Sequence, residues 1–302
     1  MIHEDPLAYA LGLQGMALMR SFTGEHDRAF VAERLAEIRA LLDDASLVDA
    51  GVDVARVGTV EGYRVWSETY DDVPNTAFDY DEPLVTEIVG ALPSGVALDA
   101  ACGTGRFAAA LAARGHRVLG VDSSPDMLRR ARLRVPEGTF LDGDLDRMPV
   151  EDAAVDLVVC GLALEHVPDL GPVFAEFARV LRPGGQLVIS DIHPEQVALG
   201  RVPSVRTADG RRGRIASYRH ATGDYLRAAL AAGLDVRRCE EPLLPAVVRT
   251  EPAEEAPEPA GPGPWHAWPW SLAALAPEAA EAAQTGRPAM LIWQFQRPPA
   301  AR

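Results

Sequence analysis

Lysine is missing from the 302-residue chain, whose basic residues, 29 in all, are every one arginine. That excludes a Schiff-base lysine and a phosphate-loop lysine, and several enzyme classes with them. Cysteine is scarce: Cys102, Cys160 and Cys239 are odd in number, widely separated and without CxxC spacing. Neither a disulfide framework nor a zinc site is readable, and the thiols are expected to stay reduced. No apolar run reaches spanning length, and Met1-Ile2-His3-Glu4-Asp5 offers no basic stretch before an apolar one. The sequence therefore predicts no export, no membrane span and a cytoplasmic location. Positive charge is short as well: a formal charge of −15 sets up a field that repels nucleic acid and anionic membrane. What is present, 48% hydrophobic residues, suffices to bury a full core as one large domain with an appendage or as two domains.

Between His26 and Asp44 the apolar residues Val31, Leu35, Ile38 and Leu42 recur at helical spacing. With the less regular run Leu7 to Phe22, residues 1–58 read as a helical appendage whose apolar stripe needs a cover. Either the rest of the chain or a second copy, giving a homodimer through these helices, would provide it. After Pro93-Ser94-Gly95 short apolar runs alternate with helix-period stretches, the rhythm of a parallel sheet with crossover helices. The runs are Val96–Asp99, Arg117–Asp122, Thr139–Leu141, Val155–Cys160, Leu187–Asp191, Leu234–Cys239 and Met290–Phe295, so seven strands are expected within residues 59–302. The Pro- and Glu-rich stretch over 251–264 cannot form a core and reads as an insertion inside that domain.

In Val96-Ala-Leu-Asp99-Ala-Ala101-Cys102-Gly103-Thr104-Gly105-Arg106 a buried strand runs into small residues and then a helix. Gly103 and Gly105 let backbone approach a ligand closely, and the helix start behind them offers unpaired N–H groups. A lone GxG also serves a plain tight turn, so context decides. A second strand ends in Asp122, 17 residues after Gly105, where a carboxylate can accept both hydroxyls of a ribose. That fits a nicotinamide dinucleotide or an adenosyl sulfonium. Asp99 separates them: it would repel a pyrophosphate but suits the ammonium of S-adenosylmethionine, whose carboxylate suits the backbone N–H groups. Gly143-Asp144-Leu145, after the third strand, adds a carboxylate for the exocyclic amine of adenine.

Together with Val121-Asp122-Ser-Ser-Pro-Asp126-Met127-Leu128, Leu164-Glu165-His166-Val167 and Val180-Leu181-Arg182-Pro183-Gly184-Gly185, these pieces resemble the class I S-adenosylmethionine-dependent methyltransferases, especially their small-molecule, ubiquinone/menaquinone-type branch. The resemblance covers about 63–241 and, through the last strand, 290–295. It implies an α/β, Rossmann-like, seven-stranded and mostly parallel sheet with an antiparallel last strand, and the cofactor over the strand C-terminal ends. By the same resemblance Asp99, Ala101, Gly103 and Gly105 would surround the methionine part, Asp122 with Ser123 would hold the ribose, and Met127 would pack on adenine. Asp144 and Leu145 would meet the adenine edge, Gly161 and Leu162 would complete the wall, and Tyr70 or Trp66 would lie near the methionine carboxylate. One departure is Ala101, where many members have glycine. The Asn/Asp-Pro-Pro-aromatic run of DNA amino-methyltransferases and the Pro-Cys of cytosine-C5 enzymes are both missing from Cys160-Gly161-Leu162-Ala163.

Methyl transfer from a sulfonium needs alignment more than acid–base help, and a base only when the acceptor is an alcohol or phenol. His166 and His193 follow the fourth and fifth strands and are the candidate catalytic groups, each balanced by a bland reading as a turn or loop residue. Arginines crowd 197–220, where Asp209-Gly210 suggests a hairpin that could form a lid; Tyr218, Arg219 and His220 are the candidate acceptor contacts there. A solvated, charge-balancing hairpin is the competing reading. Trp265, Trp268 and Trp270 could line an aromatic acceptor or staple the insertion to the core. Cys102 and Cys160 read as small packing residues. No metal-ligand spacing is visible. The expected function is thus metal-independent methylation of a small-molecule acceptor, on oxygen or nitrogen ahead of carbon, with S-adenosylhomocysteine as product. Aminocarboxypropyl transfer, cyclisation of S-adenosylmethionine, and a non-catalytic cofactor-binding scaffold are the alternatives.

Overall fold

The computed structural model describes residues 2–67, 70–71, 75–207, 209–245, 262 and 264–300. The chain forms two compact units, neither contiguous in sequence: 1–57, 200–215 and 243–287 make one, and 58–199, 216–242 and 288–302 make the other.

In chain order the elements are β1 (Ile2–Glu4), α1 (Pro6–Arg20), α2 (Arg28–Asp43), β2 (Val52–Val57), α3 (Thr59–Trp66), α4 (Phe78–Gly90), β3 (Val96–Ala100) and α5 (Arg106–Ala113). There follow β4 (Arg117–Asp122), α6 (Pro125–Arg134), β5 (Thr139–Asp142), β6 (Val155–Gly161), α7 (Leu170–Val180), β7 (Leu181–Ile192) and α8 (Pro194–Ala198). The chain ends with β8 (Ser204–Arg206), β9 (Arg212–Ile215), α9 (Thr222–Ala231), β10 (Asp235–Glu240), α10 (Pro277–Gln284) and β11 (Met290–Gln296).

The larger unit holds the seven strands expected, in the order β10-β11-β7-β6-β3-β4-β5. β11 alone runs against its neighbours β7 and β10; the remaining pairs are parallel. This is the parallel sheet read from the apolar rhythm, with the Rossmann-like form and reversed last strand that the resemblance implies. Its central strands read as continuous apolar runs because helices cover both faces. Leu98, Val158, Cys160, Leu187, Ile189, Phe174, Phe177 and Phe295 share one buried cluster. β7 begins at Leu181, six residues before the expected Leu187, because pairing continues across Pro183-Gly184-Gly185 through a register shift beside Val155 and Leu157.

The smaller unit is not all helical. β1 and β2 pair antiparallel, β2 and β9 parallel, and β9 and β8 antiparallel, so the sheet order is β1-β2-β9-β8. The hairpin read at Asp209-Gly210 is present, joining β8 to β9. α1, α2 and α10 enclose a core of Ala10, Leu13, Ala17, Leu41 and the alanines of α10. On α2 the buried positions are Arg34 and Leu41 rather than the stripe read from spacing, of which Leu35 and Leu42 stay exposed. Arg34 can be buried because its guanidinium bonds Glu278. Trp265 and Trp268 pack with Val54 and Leu272, and the Arg214 guanidinium lies 5.4 Å from the Trp265 ring centre. Arg214 also pairs with Glu4 at 2.7 Å and donates to the carbonyls of Val202 and Trp268. Within 251–264, only Pro262 and Pro264 are among the described residues. No helix among the described residues is long and apolar enough to cross a membrane.

Candidate functional site

A cavity of about 550 Å³ opens in the larger unit at the carboxyl ends of β3, β4 and β6. In open sheets ligands bind there, where strand order reverses on either side of β3. The floor is the turn after β3. Ala101, Gly103 and Gly105 all take positive φ, +57°, +53° and +84°. Gly105 is also fixed by space: a Cβ there would stand 3.1 Å from the Ala131 Cα of α6. Ala101 adopts the same left-handed region without glycine's freedom, a local strain the rest of the turn must hold.

Asp99 is buried beneath this turn, and its Oδ2 accepts from the Ala108 N–H at 2.7 Å. Burial pushes its carboxyl up to about 7, against the partial relief of that hydrogen bond and of the Arg106 charge. Asp122, at the tip of β4, accepts from Gly103 N–H and Ser124 N–H, both at 2.8 Å, and burial likewise raises its carboxyl. Ser124 caps α6, which brings buried Met127 to the wall. Ser123, Asp144, Leu145, Gly161 and Leu162 line the same space. Gly161 is required by close approach, because a Cβ would meet the Phe107 ring at 2.3 Å. Cys102 lines the cavity and Cys160 lies buried in β6; burial pushes both thiols up, which suits packing rather than nucleophilic roles.

The upper wall comes from α3 and the residues after it. Tyr63 and Tyr70 line the cavity, and their rings cluster with Trp66 and Phe78 at centroid separations of 5.7–6.2 Å. Asp71 ties this segment down, accepting from Thr104 Oγ1 at 2.9 Å and pairing with Arg134 at 2.7 Å. Arg106 sits between the Phe78 and Phe107 rings, 4.0 Å from each centre, and holds Asp81 through two hydrogen bonds. Sequence reasoning placed the segment from Tyr63 to Asp71 over the cofactor but missed the Arg106 to Asp81 pair, which has no local motif.

His166 follows β6 on a short turn, Leu164–His166, and lines the cavity. Its Nδ1–H donates to the Ala216 carbonyl at 2.8 Å, which leaves Nε2 as an acceptor for the Tyr63 hydroxyl at 3.0 Å. Burial holds the imidazole below its ordinary range, so it is neutral at pH 7. Beside it Glu165 is buried, with Oε1 3.6 Å from Nε2 and Oε2 without a hydrogen-bond partner among the described residues. Asp191 accepts from Tyr225 Oη–H at 2.7 Å and from its neighbour's N–H at 3.0 Å, so of these two buried carboxyls Asp191 is the one that ionises first and Glu165 is held neutral.

Several candidates lie off the cavity. His193 is not among its lining residues; the ring starts α8 by accepting from Glu195 N–H through Nδ1 and faces Glu241 at 3.4 Å through Nε2. Tyr218, Arg219 and His220 are not among them either. The stretch they occupy braces the His166 turn: Tyr218 N–H donates to the Glu165 carbonyl at 2.6 Å and His220 Nε2–H to that of Val167 at 2.7 Å. Trp66 touches the aromatic cluster without lining the space, and Gly105 shapes the floor from below. Among the described residues no group of three or more His, Cys, Asp or Glu could hold a metal ion.

A reversed β11 in an otherwise parallel sheet of this order, with the glycine turn and two tip carboxylates around one cavity, is the architecture of a class I S-adenosylmethionine-dependent methyltransferase. Residues 98–189, from β3 to the middle of β7, match the family described as a methyltransferase domain. Residues 98–189 thus carry a methyltransferase domain. It is 36% identical over 127 residues to a malonyl-[acyl-carrier protein] O-methyltransferase of Yersinia pestis, covering 42% of this chain and 47% of that protein. It is 32% identical over 169 residues to a demethylmenaquinone methyltransferase of Renibacterium salmoninarum, covering 55% and 64%. The matches thus span less than two thirds of either relative. Among solved structures, an S-adenosylmethionine dependent methyltransferase from Mesorhizobium loti superposes with a TM-score of 0.50 at 25% identity, over 72% of this chain and 97% of that one.

Proposed function

We propose that the cavity binds S-adenosylmethionine and that the chain transfers its methyl group, without a metal, to a small-molecule acceptor by in-line displacement at oxygen or nitrogen. The observation that carries this reading is the juxtaposition of buried Asp99, the positive-φ turn and Asp122 on one cavity wall. Asp99 is a buried carboxyl that accepts from one backbone N–H, that of Ala108, and suits an ammonium group. The N–H groups at the start of α5 suit a carboxylate, and Asp122 keeps lone pairs free for ribose hydroxyls. Of the two relatives, one is named for O-methylation of malonyl-[acyl-carrier protein] and the other for methylation of demethylmenaquinone, so oxygen is among the acceptor atoms they use.

When bound, the cofactor supplies a methyl group already activated by the sulfonium charge. The chain's own contribution is then positional: the turn and Asp122 fix the adenosyl end, Tyr63 and Tyr70 screen the upper side from water, and Leu162 and Ala163 lead to the acceptor side. An acceptor lone pair must be held roughly 3–3.5 Å from the methyl carbon. His166, neutral and on the lining, is the group able to take a proton there.

Calorimetric titration with S-adenosylmethionine, S-adenosylhomocysteine and NADH tests the reading. Binding of the two adenosyl compounds alone supports it, and Asp122→Ala should weaken that binding by about 1.5–3 kcal/mol for each lost charge-assisted hydrogen bond. Folded protein that binds neither adenosyl compound refutes it, and accumulation of methylthioadenosine in place of S-adenosylhomocysteine refutes the methyl-transfer step.

A further inference from the structure

Tyr63 and His166 lie 103 residues apart in the chain yet meet on the cavity wall, hydroxyl to imidazole at 3.0 Å. The Ala216 carbonyl fixes the tautomer, so the Tyr63 proton points at Nε2 and the lone pairs of its oxygen are left for another donor. Around them the lining is apolar: Val60, Ala163, Val167, Pro168, Pro172 and Val173. Charge on the lining is one-sided. Glu61, Asp99, Asp122, Asp144, Asp146 and Asp169 face the cavity, whereas Arg106, the one arginine among the described lining residues, is engaged by Asp81 and Glu82.

Resting on the methyl-transfer reading above, we propose that Tyr63 and His166 form a proton relay, both catalytic residues, and that the acceptor is an uncharged or cationic alcohol or phenol methylated on oxygen. The acceptor hydroxyl donates to Tyr63 Oη. As its oxygen forms a bond to the methyl carbon and the sulfur–carbon bond breaks, the hydroxyl proton passes to Tyr63 and the Tyr63 proton passes to His166 Nε2. The sulfonium becomes a neutral thioether, and the positive charge ends as an imidazolium on His166, later lost to solvent. An ionised carboxylate acceptor needs no such relay and would enter a cavity of its own sign with no free cation among the described lining residues to meet it. An amine with a free lone pair needs no base before attack.

The intact chain is incubated with methyl-labelled S-adenosylmethionine and a total small-molecule extract of its source cells, and the labelled products are sorted by chemistry. Alkali-stable label held as an O-methyl ether is expected, in the neutral fraction for an uncharged acceptor and in the basic fraction for a cationic one. Label released as methanol by alkali marks a methyl ester, label in the basic fraction that persists as an N-methyl amine marks nitrogen, and either overturns the proposal. No label at all, from protein that binds S-adenosylhomocysteine, overturns the methyl-transfer reading itself and the proposal with it.

With the ether-forming extract fraction, His166→Gln and Tyr63→Phe should each lower turnover by roughly 10²–10⁴-fold, the range of general base catalysis. S-adenosylhomocysteine affinity should hold within about twofold in both, since neither group is assigned to the cofactor. Raising the pH should shrink the deficit as a phenolic acceptor ionises by itself. Losses matched by lost affinity, or unchanged turnover in Tyr63→Phe, overturn the relay. Nitrogen-15 NMR of the wild-type imidazole gives a reading independent of turnover: a neutral ring protonated at Nδ1 at pH 7.5 is required, and an imidazolium there overturns the proposal. Glu165, Tyr63 and Ser217 are the groups nearest that ring, with Asp191 behind Glu165.

Discussion

Replacing Asp99 by asparagine should strengthen the larger unit while destroying its ligand affinity. Asp99 is 2% exposed and its carboxyl is pushed by burial from 3.8 to about 7. Because the folded value is the higher one, the folded protein takes up a proton between those two pH values, so stability is greatest in acid and falls as pH rises through 7. At about 1.4 kcal/mol for each pH unit between them, the ionised carboxylate costs about 4 kcal/mol above pH 7. Asparagine keeps the oxygen that accepts from Ala108 N–H but brings an amide without a partner, which costs roughly 1–3 kcal/mol. A net gain of about 2 kcal/mol at pH 8 and close to none at pH 5 is expected. Urea titrations at the two pH values, read through hydrogen exchange of the β3 and β6 amides, report on this unit specifically. S-adenosylhomocysteine binding by the variant should be lost at both, and that of the wild type should weaken as pH falls below 7 and Asp99 takes up its proton. Equal stabilisation at pH 5 and 8, or undiminished affinity in the variant, would show that Asp99 is not an ionised carboxylate waiting for a cation.

Ala101→Gly should raise stability by about 1 kcal/mol, since the residue already holds φ +57°; a thermal or urea midpoint that drops instead would count against strain at the turn. Arg106→Leu leaves Asp81, which is fully buried, without its guanidinium and should cost about 3–5 kcal/mol in urea unfolding. Adding Asp81→Leu should recover most of that loss. Gly161→Ala drives a methyl group into the Phe107 ring and should cost about 1–3 kcal/mol, relieved in part by Phe107→Leu; thermal melts of the single and double variants measure both effects.

The strands of the larger sheet could be read from the sequence because most are apolar runs bounded by turn residues, β10 with its Arg237 and Arg238 being the polar exception, and the glycine turn because its backbone conformations narrow the residues allowed. Strand β2 was hidden although Val52, Val54 and Val57 carry apolar side chains on a short extended segment. Residues 1–58 were read by the helix period of their first part, and a six-residue strand leaves a weak signal beside two helices. β8 and β9 are shorter still and rich in arginine, so nothing in their hydropathy marks a sheet. On α2 the spacing of Val31, Leu35, Ile38 and Leu42 named one face while burial chose another, because Arg34 found a carboxylate on α10. The same limit applies to the site. Asp99, Asp122 and Asp144 sit at strand ends and could be placed by counting, whereas the Tyr63 to His166 contact joins a helix before the sheet to a turn in its middle and leaves no periodic trace. His193 has the right position in the chain, but its ring is taken up by the start of α8.

The discontinuity of the two units bears on synthesis from the ribosome. The first 57 residues emerge with Ala10, Leu13 and Ala17 of α1 uncovered, and their α10 partners are translated more than 250 residues later. β11 fills the place between β10 and β7, so the larger sheet also stays open until residue 296 has been made. Neither unit can close before these late segments have been made. One waits for α10 and the other for β11, so a nascent chain stalled before residue 277 carries two unfinished cores.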